Sequence, residues 1–188
     1  MLAVAAHVAA GLVLVAGVGK LVRPEVTRDA LALSRRPAAA WLVRALGLGE
    51  VGLAVTVLAV GGRVAFGLLG LAYVGFLVVA GHQRRAGRSC GCFGAASSTA
   101  VGPLHLGVDG VAAAAALGAA WLVVPGLPGV LPAQAISAAV ALGLIAVAVA
   151  LGQLLLTSLP ELLAVRATAA GERTDAPVPV FSTSGVRP

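Results

Sequence analysis

Apolar residues run along this chain in five long stretches, broken by short polar ones, at about residues 2–22, 41–60, 64–82, 104–124 and 134–156. Each is close to the ~20 residues that a helix needs to cross the hydrocarbon of a bilayer. The pattern predicts an all-α polytopic membrane bundle: a four-helix core plus a fifth C-terminal transmembrane helix, together occupying residues 1–159. Between the first two spans, RPEVTRDALALSRRPAAA suits a short surface helix, with Pro24 in its first turn and Pro37 as a stop. Gly61-Gly62-Arg63 joins spans two and three as a tight hairpin, and PGLPGVLP turns the chain into span five. Beyond residue 159 the composition shifts to Pro, Ser and Thr, so residues 160–188 are expected to form a disordered tail.

Composition explains why these stretches face lipid. Of the 188 residues, 60% are hydrophobic and only 11% charged. A soluble domain covers itself with about 25% charged residues. The 25 glycines fit the same picture, because small residues let membrane helices approach closely.

The net charge of +6 would suggest nucleic acid in a soluble protein. Here the basic residues sit beside apolar spans, and no aromatic–basic interleaving or phosphate loop accompanies them, so nucleic acid is not an expected partner. Lys20, Arg23, Arg28, Arg35, Arg36, Arg44, Arg84, Arg85 and Arg88 lie on or near loops one and three, with Arg63 alone opposite. The positive-inside rule then puts those loops and the C-terminus in the cytoplasm, and the N-terminus outside, in a multi-pass protein of the plasma membrane. Positive charge follows the first apolar run instead of preceding it, which argues for a retained helix and against a cleaved signal.

The candidate chemistry begins with the two cysteines, Cys90 and Cys92, in Ser89-Cys-Gly-Cys-Phe-Gly94. Cysteine can be a mere small apolar residue in a membrane helix, but this pair lies in a polar loop among glycines. A bridge between residues i and i+2 closes almost no chain, so it is a poor staple and a strained, reducible one. Thiol redox exchange is the use that fits, with Gly91, Phe93 and Gly94 shaping the loop. Arg84, Arg85 and Arg88 would favour the thiolate. Metal binding by Cys90, Cys92, His82 and His105 is the weaker alternative, because Cys-x-Cys is a tighter bite than most zinc sites use.

Ionisable residues inside apolar spans are costly and are functional candidates by default. Glu50 lies roughly 14 Å into span two, and Asp109 roughly 8 Å into span four, at 1.5 Å per residue. Lys20 and Arg44 lie within about a turn of their helix ends. Lys20 could either snorkel or serve the bundle interior. Glu50 is too deep to snorkel, so it is either protonated or paired, with Lys20 or Arg44 as its nearest partner by depth. Antiparallel threading puts Lys20, Arg44, His105, Asp109 and Gln153 in the half of the membrane under the cysteine loop. Glu50 bounds that half, and His7 is nearly alone in the other.

Gly17-Val-Gly-Lys-Leu-Val-Arg-Pro24, Gly49-Glu50 and Cys90-Gly-Cys-Phe-Gly94 together resemble the methylamine-utilisation protein MauE family, grouped with the DoxX-like membrane proteins. The resemblance covers about residues 1–124. One departure is Val108-Asp109, where the family often has an Arg-Asn pair. The resemblance implies a link to methylamine metabolism and to maturation of the disulfide-rich small subunit of methylamine dehydrogenase. It also implies a thioredoxin-like partner and a disulfide-containing client. Such a role would favour cysteines on the outer face, against the charge pattern, and the family name also covers relatives outside the methylamine pathway.

Three function classes follow. The first is a membrane thiol–disulfide protein. Its Cys90–Cys92 pair passes electrons between a thioredoxin-like partner and an acceptor in the bundle, such as a membrane quinone. Four-helix quinone-linked thiol oxidases share this layout by analogy, and Glu50 or Asp109 would handle the protons. The second is a non-catalytic membrane chaperone or subunit whose cysteines hold a partner or a metal. The third, a small transporter, lacks the expected inverted repeat and broken helices.

Overall fold

The computed structural model describes residues 1–31, 39–88 and 101–174. Cys90, Gly91, Cys92, Phe93 and Gly94 lie outside the described residues, as do Pro37 and residues 175–188. The described residues form helices and no named strand. The helices are α1 (Leu2–Val22), α2 (Pro24–Ala30), α3 (Ala39–Ala59), α4 (Gly62–Arg85), α5 (Pro103–Trp121), α6 (Leu127–Val130) and α7 (Ala135–Thr174). Among the described residues, five stretches are long and apolar enough to cross a membrane: α1, α3, α4, α5 and Ala135–Ser158 of α7. The chain is a multi-pass membrane protein, as its hydropathy pattern predicts.

The short surface helix forms as α2, with Pro24 in its first turn. One stretch of the PGLPGVLP turn winds into the single turn of α6. The last helix continues past Pro160, where the composition predicts the start of a tail, and reaches Thr174. ELLAVRATAA, after that proline, is rich in strong helix formers and favours continuation.

Packing follows the membrane rule of small residues inside. The core is built largely from alanines, including Ala6, Ala9 and Ala10 of α1 and Ala112, Ala113, Ala116 and Ala119 of α5, around Phe66, Leu69, Val13 and Val57. Larger side chains such as Val4, Leu48, Leu71 and Leu144 point outward. In lipid no hydrophobic penalty attaches to that arrangement, so close backbone approach decides which face turns inward. The main pairings are α4 with α5 and α1 with α3, while α7 packs on α1.

The tightest approach lies between α1 and α3. A methyl carbon added at Gly17 would stand 2.8 Å from the Gly47 carbonyl oxygen, and one at Gly47 would stand 2.8 Å from the Gly17 carbonyl oxygen. At one end of the bundle the α3–α4 hairpin turns on Gly61, whose φ of +67° suits glycine. There Gly62 N–H donates to Val124 O (2.7 Å) and Gly126 N–H to Val60 O (2.9 Å), tying the hairpin to the chain after α5.

Candidate functional site

The other end of the bundle collects the polar residues. Gly17 lies three residues before Lys20, and Gly47 three residues before Glu50. Because α1 and α3 run antiparallel and cross at the two glycines, each glycine faces the opposite helix's charged residue. The Lys20 Cβ lies 2.9 Å from the position of a Cβ on Gly47, and the Glu50 Cβ 3.0 Å from that on Gly17. The crossing brings the side chains together: Lys20 Nζ donates to Glu50 Oε2 at 2.7 Å, with side-chain exposures of 3% and 5%. Lys20 therefore serves the interior and does not snorkel, and it is the partner Glu50 takes. Arg44 is exposed. Six residues at 3.6 per turn put it about 120° around α3 from Glu50.

Aromatic residues extend the pair towards α4. Lys20 Nζ stands 5.7 Å from the Phe76 ring centroid, within cation–π range. Phe76 meets Tyr73 edge-on at 5.6 Å. The buried Tyr73 hydroxyl donates to the Ala9 carbonyl of α1 at 2.8 Å. On α5, His105 and Asp109 lie one turn apart, with His105 Nε2 3.6 Å from Asp109 Oδ2. Lys20, Tyr73, Phe76, His105 and Asp109, with Leu12, Val13 and Ala16, enclose a cavity of about 10 Å³. That is roughly the space one water requires.

Two carboxylate oxygens here are buried without a hydrogen-bond partner among the described residues: Glu50 Oε1 and Asp109 Oδ2. Buried polar atoms are nearly always satisfied, and leaving one unsatisfied costs about 1–3 kcal/mol. Of these two residues, Asp109 is the one that lines the cavity.

Flanking this cluster, Arg88 and Val101, the described residues on either side of the cysteine segment, meet. Arg88 N–H donates to Gln83 O (2.9 Å), and Val101 N–H donates to Arg88 O (3.1 Å). Val101 packs on Ala80 and Leu106. Gln83, itself buried, donates from Nε2 to the Ala30 carbonyl at 2.8 Å and so docks α2 under the end of α4. His82 is exposed near the end of α4 whereas His105 lines the cavity. Among the described residues no three His, Cys, Asp or Glu side chains gather closely enough to share a metal ion. Gln153 is half-buried on α7, and His7 lies in the core, its Nδ1 2.6 Å from the Ala3 carbonyl oxygen.

The structure thus unites Lys20, Glu50, His105 and Asp109 at one end of the bundle and leaves Arg44 outside. It adds Tyr73, Phe76 and Gln83. Tyr73 is the chain's single tyrosine and lies inside an apolar span, a signal that could have found it. Phe76 and Gln83 carry no comparable signal.

Fold and site define a multi-pass helical membrane protein with a buried ion pair and a second carboxylate gathered at one membrane face. The family model of methylamine utilisation protein MauE matches residues 1–122, which takes in α1 through α5. The chain belongs to that family. No curated protein and no solved structure matches it.

Proposed function

We propose that this protein is a membrane thiol–disulfide protein in which Cys90 and Cys92 alternate between dithiol and disulfide, and the buried acidic residues move the accompanying protons. The observation that carries this reading is the joining of Arg88 to Val101. It joins the two described residues nearest the Cys-Gly-Cys segment at the end of the bundle where Lys20, Glu50, His105 and Asp109 are buried. Oxidation of two thiols releases two electrons and two protons. Asp109, beside His105 in a cavity the size of one water, suits the proton step, since a carrier must reach its donor directly or through one water. Glu50 is engaged by Lys20 and serves first to hold α1 and α3 together.

The soluble partner of this reading is a thioredoxin-like protein, and its client a disulfide-containing protein. The family's description supports a link to methylamine utilisation. The basic residues around the loop support a cytoplasmic placement of this face in the plasma membrane. The test is to replace Cys92 with Ser, capture the mixed disulfide formed by Cys90 in cells and identify what is attached. A thioredoxin-like or disulfide-rich protein is expected, and the same trap with Cys90→Ser should lose it. Two cysteines that form no mixed disulfide in either variant, and that stay reduced in membranes, would sink the redox reading in favour of a non-catalytic chaperone or subunit.

A further inference from the structure

The polar end of the bundle gathers more ionisable groups than the proton step alone requires. Lys20 of α1, Tyr73 of α4, and His105 and Asp109 of α5 line one cavity. Glu50 of α3 joins them through its contact with Lys20 at 2.7 Å. Leu12 lines both this cavity and an apolar groove of about 500 Å³ between α1 and α5, so on that side the polar groups border an apolar space.

Charge in such a place must balance, because an uncompensated ion away from water is costly. Among the described residues, two carboxylates and one ammonium meet here. Lys20 donates to Glu50 Oε2, and those two charges cancel. Asp109 is 2% exposed, and its Oδ2 has no hydrogen-bond partner among the described residues. An ionised carboxylate is held by donors, so an oxygen buried without one fits the neutral acid. His105 Nε2 lies 3.6 Å from that oxygen, one turn nearer the start of α5, and is the base beside it. Lys20 faces the same cavity as Asp109. A lysine ammonium has three donors on a flexible four-carbon stem, so it can serve two acceptors.

We propose that Lys20 is a positioning residue for proton transfer, its ammonium being the shared counter-ion of Glu50 and Asp109. With Asp109 protonated, Lys20 balances Glu50. When that proton leaves, the Asp109 O–H bond breaks and an N–H bond forms at His105 Nε2. The carboxylate left behind faces the Lys20 ammonium across the cavity, which lowers the cost of an anion there. The inference rests on the thiol-redox reading for the origin of the protons.

The test reads the carboxyl proton directly and needs no thiol chemistry. The full chain with Cys90→Ser and Cys92→Ser, in phosphatidylcholine nanodiscs, is followed by infrared spectroscopy through a pH titration. A carboxylic-acid C=O stretch should be present at neutral pH, persist in Glu50→Gln and vanish in Asp109→Asn. The deciding comparison sets Glu50→Gln against Glu50→Gln with Lys20→Met, or with Lys20→Gln should the first double variant fold poorly. These backgrounds differ only in the Lys20 charge, and the double variant leaves no unpaired ion of that pair. In it the stretch should persist to higher pH by about one unit or more, the effect of losing an opposite charge within about 4–6 Å. Lys20→Arg in the Glu50→Gln background restores a cation and should reverse the shift. Equal titration in the folded backgrounds would overturn the shared counter-ion, as would the absence of any stretch that Asp109→Asn removes. Because the cysteines are absent, that failure leaves the mixed-disulfide test untouched. The shift in a protein whose cysteines form no mixed disulfide would uphold the counter-ion and overturn the redox reading alone.

Discussion

Gly17 and Gly47 meet so closely across the α1–α3 crossing that a methyl group on either would press on the other's carbonyl oxygen at 2.8 Å. The contact is between two backbones, so no side-chain rotation can relieve it. It also sets the rotation of both helices, and that rotation brings Lys20 onto Glu50. Gly17→Val or Gly47→Val should therefore destabilise the bundle by about 1–3 kcal/mol, the usual cost of overpacking a tight core. Thermal unfolding of the detergent-purified protein checks this. Gly49→Ala, at a position with open space, is the control and should leave the melting temperature nearly unchanged.

The ion pair should behave as a unit. Removing one partner from a buried pair costs about 3–5 kcal/mol, while removing both together with similar volume is often close to neutral. Lys20→Met alone should lower stability strongly, and Lys20→Met with Glu50→Gln should recover most of the loss. A double-mutant cycle on unfolding free energies measures the coupling. Additive losses would mean that the pair contributes nothing specific. Arg44→Ala, on the exposed side of α3, should change stability little.

Asp109 should show the opposite balance. Its Oδ2 is buried with no hydrogen-bond partner among the described residues, with His105 Nε2 3.6 Å away, so Asp109→Leu removes a group without a hydrogen bond and should leave the protein as stable or more stable. Function should suffer, because sites held at a cost to stability tend to be functional. The measurement pairs the melting temperature with turnover of the Cys90–Cys92 pair in membranes. Normal turnover in Asp109→Leu would remove it from the proton path. If Glu50→Gln alone then stalled turnover in a folded protein, the proton role would pass to Glu50.

Topology is directly measurable. A reporter fused at Arg166 should be active in the cytoplasm, because five spans starting outside end inside. Activity of a periplasm-specific reporter at that position would reverse the orientation and place the cysteine loop on the outer face.

The Cys90–Cys92 bridge should be easily reduced. Its potential is expected well above the level of about −300 mV below which structural disulfides lie. Redox titration against glutathione, followed by thiol alkylation and mass analysis, gives the value. A pair that resists reduction there would be structural and not an exchange site.

Much of this molecule is legible in its sequence for definable reasons. Five helices of about 20 apolar residues are a matter of bilayer thickness, so span number and approximate limits follow from hydropathy alone. The polar half of the bundle follows too, since Lys20, His105 and Asp109 fall in one half of the membrane, with Glu50 at its deep edge, once antiparallel threading is assumed. The i,i+4 spacing of His105 and Asp109 already puts them on one helix face. Chain order likewise places the Cys-Gly-Cys motif between α4 and α5.

Only the tertiary structure decides which partner Glu50 takes, that Tyr73 and Phe76 close the cavity, and that a groove opens between α1 and α5. The reason is rotational. These helices are apolar on all sides, so no amphipathic stripe in the sequence says which face turns inward. Depth along the helix axis is written in residue number, but rotation about that axis is set by contact. Here the decisive contact is two glycines at one crossing, which turn Glu50 towards Lys20 and leave Arg44 about 120° away at 3.6 residues per turn.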